Sequence, residues 1–257
     1  MKRASFTAFA MASTVALTMA ASLACQSTQV EEEVQISGES KKEMEEIRKL
    51  YSPVSCFRAG FLIEGVLPGQ GSQAANGSVR VDNTNRRMRF IFTDTILGIT
   101  LSQVTISGGQ VFITNPRENG ATVPLERFEV RGLGNNSIRL PFRLFQDLVY
   151  ARLPDEVFSN QAKVDGQEKI MNVQLETPSE SSTYRFESRR LRHLTYLRKG
   201  AGDRVEVDLT GKYRDSIFPQ SIVMQSFREA AQLDRLVLTF NELNLEARCT
   251  DVYFPMH

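Results

Sequence analysis

The sequence predicts a mainly β protein: one long, strongly curved antiparallel sheet whose apolar face is covered by short helices. Three observations carry this. From Cys56 onward, apolar residues recur at every second position in stretch after stretch, the period of a strand with one buried face. Gly-containing pairs of the kind found in tight hairpins punctuate those stretches. With a single exception, the stretches follow one another too closely for a helical crossover, so neighbours must pair antiparallel.

The chain opens on a secretory leader over residues 1–24. Lys2 and Arg3 give the charged start, and Ser5 to Leu23 is uncharged and mostly small or apolar. The run ends Ser22-Leu23-Ala24-Cys25. This is similar to the bacterial lipobox, in which a small residue precedes a Cys that receives diacylglycerol on sulfur and becomes the first mature residue. Here Leu23 stands two rather than three before Cys25. The competing reading is cleavage nearby, with Cys25 left as a thiol. Acyl chains on Cys25 would hold the protein on a bilayer, each buried methylene contributing about 0.8 kcal/mol. Gln26, in place of Asp, resembles lipoproteins exported onward to the outer membrane. Residues 25–39, polar and carrying Glu31-Glu32-Glu33, read as a lipidated, disordered tether.

Residues 40–257 read as a single domain. Ser40 to Tyr51 is helical, with Met44, Ile47, Leu50 and Tyr51 at three- and four-residue spacing, and Pro53 ends it. Phe57 to Gly65, Met88 to Phe92, Ile99 to Ile106, Val111 to Thr114 and Thr122 to Val130 are strands. Asn76-Gly77, Gly108-Gly109 and Asn119-Gly120 are the expected turns, and Pro68 to Ser72 a hairpin loop. Ser137 to Leu153 is a second amphipathic helix, with Leu140, Leu144 and Leu148 stacked at i, i+4, and Pro154 stops it. Strands resume at Ile170–Thr177, Thr183–Arg198, Arg204–Lys212, Ile217–Phe227 and Leu236–Leu245, with turns at Asp165-Gly166 and Lys199-Gly200.

Composition excludes more than it suggests. Loss of Lys2 and Arg3 with the leader takes the formal charge from +1 to −1, which recruits no nucleic acid. The two histidines are His193 and the terminal His257, and no Cys-x-x-Cys pair occurs, so no metal site is expected. No nucleophile elbow, His-Glu-x-x-His pair or Walker loop is present, and His193 has no Ser or Cys nucleophile beside it in sequence. Neither enzymatic activity nor a cofactor is expected. The Arg-rich run from Arg185 to Lys199 reads as the polar face of a strand, beside the alternative that it touches anionic head groups. Cys56 and Cys249 stand at opposite ends of the folded part, either paired as a disulfide or kept as two buried thiols.

One connection departs from hairpin chemistry. Between Phe90-Ile91-Phe92-Thr93-Asp94 and Thr100-Leu101-Ser102 lies Thr95-Ile96-Leu97-Gly98-Ile99, an apolar turn where a soluble protein places polar residues. This arrangement resembles the LolB-like outer-membrane lipoprotein receptors of the LolA/LolB-like lipoprotein-carrier superfamily. In that family a strand leads into a turn bearing an exposed Leu followed by Gly. Leu97-Gly98 occupies that place, with Ile96 where the family has Pro. Leu140-Pro141-Phe142 and Leu153-Pro154-Asp155 resemble the bounds of the family's central helix, without its Gly between Pro and Asp. The order of anchor, first helix, hairpins, central helix and closing strands matches from Ser40 to the C-terminus.

The resemblance implies an incomplete antiparallel β-barrel lidded by short helices, with an apolar cavity for acyl chains. Phe57, Phe61, Ile63, Met88, Phe90, Phe92, Val111, Ile113, Leu144 and Leu148 are the expected cavity residues; Ile96, Leu97 and Gly98 the membrane-inserting tip. It implies a lipid-anchored acceptor on the periplasmic side of the outer membrane. Its partners would be lipoprotein acyl chains, the bilayer and a soluble LolA-like carrier. Two alternatives stand beside this reading: a carrier of another amphiphile such as a glycolipid or phospholipid, and a non-catalytic scaffold lipoprotein with a filled interior.

Overall fold

The computed structural model describes residues 38–52, 54–67, 71–116, 118–131, 139–150, 152–167, 169–213, 216–229, 231–246 and 249–254. The expected leader, Cys25 and the tether up to residue 37 lie outside them. Helix α1 spans Gly38–Leu50. It buries Met44 and Ile47, and just past its end the Tyr51 hydroxyl accepts the Leu191 N–H at 2.7 Å.

Strands β1 (Cys56–Leu67), β2 (Gly71–Asp82), β3 (Arg87–Thr93), β4 (Thr100–Ser107), β5 (Gln110–Asn115) and β6 (Glu118–Pro124) form one antiparallel meander. The chain then passes through β7 (Glu129–Arg131), β8 (Arg139–Pro141) and helix α2 (Phe142–Tyr150). A second meander follows: β9 (Lys163–Gln167), β10 (Ile170–Glu176), β11 (Glu180–Glu187), β12 (Arg190–Arg198), β13 (Asp203–Thr210), β14 (Ser221–Arg228) and β15 (Ala231–Glu246). The last strand pairs with the first, so thirteen strands form one sheet ordered from β6 through β1 and β15 to β9. Its two edges do not pair with each other. The sheet is open. β7 and β8 pair apart from it.

The alternation expected of a half-buried sheet is plain in β13, where Val205, Val207 and Leu209 are buried and every second residue between them is not. The inward residues of both meanders and of α2 belong to one core. That core dictates curvature. β3 and β11 stand seven strand steps apart, about 34 Å on a flat sheet. Yet α2, a nine-residue helix about 13 Å long, sets Phe145 against Phe90 of β3 and lines a cavity with Tyr184 of β11. The sheet curls around the helix.

Several expected boundaries move, each for a local reason. Asn76-Gly77 lies inside β2, because the Phe61 ring packs where a Cβ at Gly77 would stand, 2.3 Å away. Asn119-Gly120 and Asp165-Gly166 likewise fall within β6 and β9. Gly71 and Ser72, expected in a loop from Pro68, open β2 instead; the rest of that expected loop lies outside the described residues. The expected strand from Thr183 to Arg198 is a hairpin, turned by Ser188 and Arg189 at φ of 48° and 67°; neither is the Gly that would signal such a turn. The expected second helix begins at Phe142 rather than Ser137, since Pro141 disfavours the helical region for Leu140 and β8 forms there instead. A 3-10 turn at Leu125–Arg127 splits the expected strand from Thr122 to Val130. The strand expected from Ile217 begins only at Ser221.

Cys56, at the start of β1, forms a disulfide with Cys249, Cα to Cα 5.5 Å. It closes 193 residues, so by loop entropy it contributes up to about 5 kcal/mol. A Cys56→Ser, Cys249→Ser double variant should fold with the same circular dichroism but a clearly lower urea midpoint. Equal midpoints would show that the bond constrains nothing the sheet does not already hold.

Candidate functional site

The end of the half-barrel that carries the β1–β2, β3–β4, β10–β11, β12–β13 and β14–β15 connections is its mouth. The β3–β4 turn there is held in one shape by Asp94. Its Oδ1 accepts the N–H groups of Ile96 and Leu97 at 2.9 and 2.7 Å, and its carbonyl accepts the Gly98 N–H at 3.2 Å. These backbone donors hold the Asp94 carboxyl below the usual carboxylate range. Gly98 takes φ +66°, which returns the chain so that Ile99 can accept the Asp94 N–H at 2.8 Å. The turn's hydrogen bonds are satisfied internally, and its side chains point nowhere into the protein. Ile96 is 89% exposed, Leu97 71% and Ile99 59%. A preformed turn presenting three apolar side chains to solvent is suited to meeting an apolar phase.

The ten residues expected to face a cavity lie in the single core. Phe57, Phe61, Met88, Phe90, Val111 and Leu148 are buried; Ile63, Phe92, Ile113 and Leu144 are half-buried and pack against it. Around Phe61 the space is taken by rings. Its centroid lies 6.3 Å from Phe90, 6.0 Å from Phe92 and 6.2 Å from Phe240, all edge-on. Leu144, one of the ten, borders open volume beside α2. A cavity of about 220 Å³ has Leu144, Pro154, Leu175 and Tyr184 as apolar walls and Ser182, Glu180 and Thr177 toward the mouth.

Asp147 borders this cavity, on the helix turn between Leu144 and Leu148. Burial pushes its carboxyl up to about 7; Arg143 and Arg152 oppose the rise, and Glu156 and Asp155 add to it. Arg143 is engaged by Glu156 at 3.0 Å and Arg152 by Asp155 at 3.5 Å. A carboxyl on the buried side of an amphipathic helix was visible in the sequence as a charge interrupting the Leu stripe, but it was not singled out there. Neither was the capping role of Asp94.

His193 lies on the outer face of β12. Its Nδ1 is 2.7 Å from Asp208 Oδ1 and its Nε2 is 3.0 Å from Thr195 Oγ1, so both ring nitrogens are engaged within the sheet. Among the described residues, no three His, Cys, Asp or Glu side chains converge as metal ligands. No described helix is long and apolar enough to cross a membrane.

Asp147 sets a pH dependence whose sign is fixed. The unfolded carboxyl titrates near 4 and the folded one near 7, so between them the folded state holds a proton that the unfolded state has lost. Stability therefore falls as pH rises through that window. Asp147→Asn should remove this fall and be more stable than wild type above pH 7, at about 1.4 kcal/mol per unit of displacement. Urea unfolding of both proteins at pH 5 and pH 8 measures it. Parallel pH profiles would show the carboxyl to be solvated.

No protein-family model matches the sequence, and no curated protein does. Solved structures match over most of its length at low identity. A LolA superfamily protein from Nitrosomonas europaea is 10% identical with a TM-score of 0.55, covering 85% of this chain and 98% of that one. A putative outer membrane lipoprotein-sorting protein domain from Vibrio parahaemolyticus is 7% identical with a TM-score of 0.54, over 83% and 95%. A DUF1329 family protein from Desulfovibrio piger is 9% identical with a TM-score of 0.57, over 84% and 95%. The fold is LolA-like: a thirteen-stranded antiparallel sheet, not closed, with two short helices.

Proposed function

We propose that this protein is a lipid-anchored carrier of the cell envelope that accepts lipoprotein acyl chains in its half-barrel and passes them into the outer membrane. In this reading residues 1–24 are a cleaved leader, Cys25 bears the anchor, and the β3–β4 turn meets the bilayer. A soluble LolA-like carrier would be the donor. The observation that carries it is the rigid turn exposing Ile96, Leu97 and Ile99 at the mouth of a LolA-like fold. The lipoprotein-sorting description of one structural neighbour supports the choice of cargo. No covalent chemistry is assigned. Transfer would run downhill, since each methylene moved from water into an apolar site contributes about 0.8 kcal/mol.

Mechanistically, the cavity beside Leu144 is the entry for a chain, and the α2 face bearing Leu144 and Leu148 is the surface that a longer chain would displace. The close ring packing around Phe61 favours a second reading, a scaffold whose interior stays filled. Native mass spectrometry of the purified protein separates them, because a carrier retains lipid mass and a scaffold does not.

Leu97→Glu tests the turn. An exposed turn residue makes few core contacts, so its stability should change by no more than about 1 kcal/mol. Delivery of lipoprotein into liposomes should fall by about tenfold or more, because a carboxylate is costly in hydrocarbon. Thr95→Glu, exposed in the same turn, is the control for charge alone. Unimpaired delivery by Leu97→Glu with an unchanged melt would end the insertion mechanism.

A further inference from the structure

The inner face at the mouth is apolar on one side and charged on the other. Across β11, β12, β13 and β14, Glu180, Arg198, Asp203 and Arg228 stand opposite one another in register, a rim of alternating sign. Arg228 Nε donates to Asp203 Oδ1 at 2.9 Å. One step deeper on the same face runs a second row: Ser182, Tyr196, Val205, Ser226 and Asp234, again in register. Four of these five are polar, in a region where their neighbours Val207, Met224 and Leu236 are not. Ser182 at one end lines the cavity beside α2.

At the other end the row is unbalanced. The Ser226 hydroxyl donates to Asp234 Oδ1, while Asp234 Oδ2 is buried with no hydrogen-bond partner. The Tyr196 hydroxyl, in the same row, is engaged by Arg198 and Glu180 of the rim. Burial disfavours the charge on Asp234. Glu180 and Asp203 face Arg198 and Arg228, but Asp234 has no cation opposite it; its cross-strand partner is Ser226. A buried carboxylate oxygen left unbonded is costly, and an occupant that supplies both an N–H donor and a positive charge removes both defects. A hydroxyl would satisfy only the first.

We propose that this row is a head-group subsite for an amphiphile bearing a primary ammonium, with Asp234 Oδ2 as its acceptor and the acyl chains on the apolar side. The inference rests on the carrier reading above and names the chemistry that the mouth selects. Two sources share that chemistry: the head group of an ethanolamine phospholipid, and the free α-amine of a lipoprotein's diacylated N-terminal cysteine. In either, acylation or methylation of the nitrogen removes donors from the group that Asp234 must meet.

Two competition pairs test it, with bound species counted by native mass spectrometry of the full purified protein in detergent. One pair is phosphatidylethanolamine against phosphatidylcholine of identical chains. The other is a diacylglyceryl-cysteinyl peptide with a free amine against its N-acetylated form. The amine should exceed its blocked counterpart by about tenfold in at least one pair, and that pair identifies the source. Asp234→Asn should bring the ratio to about one by lowering binding of the amine species, while binding of the blocked counterpart and the melting temperature hold. Ser226→Ala, which frees the carboxylate from its orienting bond, should lower the ratio too and decides the matter if Asp234→Asn does not fold. Equal occupancy in both pairs, or a preference that survives the substitution, overturns the subsite but leaves the carrier reading standing. Failure of all four amphiphiles to bind overturns both.

Discussion

The structure depends on one pairing, that of β1 with β15. β1 is hydrogen-bonded along its length to β2 on one side and to β15 on the other, so it is the seam between the two meanders. Phe57 and Phe61 lie in this seam, opposite Leu245 and Phe240. Loop closure between residues so distant is entropically costly, and it is compensated at this point by a long ladder and a covalent bond. The chain after the seam folds back over the outer face. Asp251 takes the Arg87 guanidinium at 2.7 Å, and the Tyr253 ring lies 3.2 Å from the Arg80 guanidinium carbon.

With the seam in place, the interior follows from size. β1 presents Phe57, Ala59 and Phe61 inward, and Phe61 needs the hollow that Gly77 leaves on β2. Phe90 then meets Phe145 on α2, which brings the helix against the first meander. The second meander reaches the same helix from the other side at Leu175 and Tyr184. Short helices therefore suffice to cover thirteen strands, because curvature rather than helix length closes the distance.

Much of this was legible in the sequence. The period-two runs marked the long strands, the Leu stripe marked α2, and the apolar turn at Ile96 to Ile99 stood out because it broke the rule for turns. What escaped had physical reasons. β2 is rich in Gly, Ser and Ala, since one of its faces must admit a ring and much of the rest lies in solvent, so it carries no hydrophobic pattern. The β11–β12 turn is made by Ser188 and Arg189, whose positive φ no residue-type preference announces. Asp94 does two things that are invisible to periodicity, ending a strand and capping the next turn through its side chain. Asp234 was lost for a different reason. A single acidic residue among strand residues reads as outward-facing until the bulge opposite Phe227 is known to place it beside Ser226 on the inner side.

The two free edges, β6 and β9, lie at opposite ends of the strand order. In a closed barrel, widening the lumen means tearing a ladder of backbone hydrogen bonds. Here the edges are joined through the chain between them, residues 125–162, and by side chains of the common core. Such packing yields gradually, a contact at a time, where a ladder yields all at once. The open sheet therefore has, across the gap between β6 and β9, none of the backbone ladder that a closed barrel would have to break in order to widen.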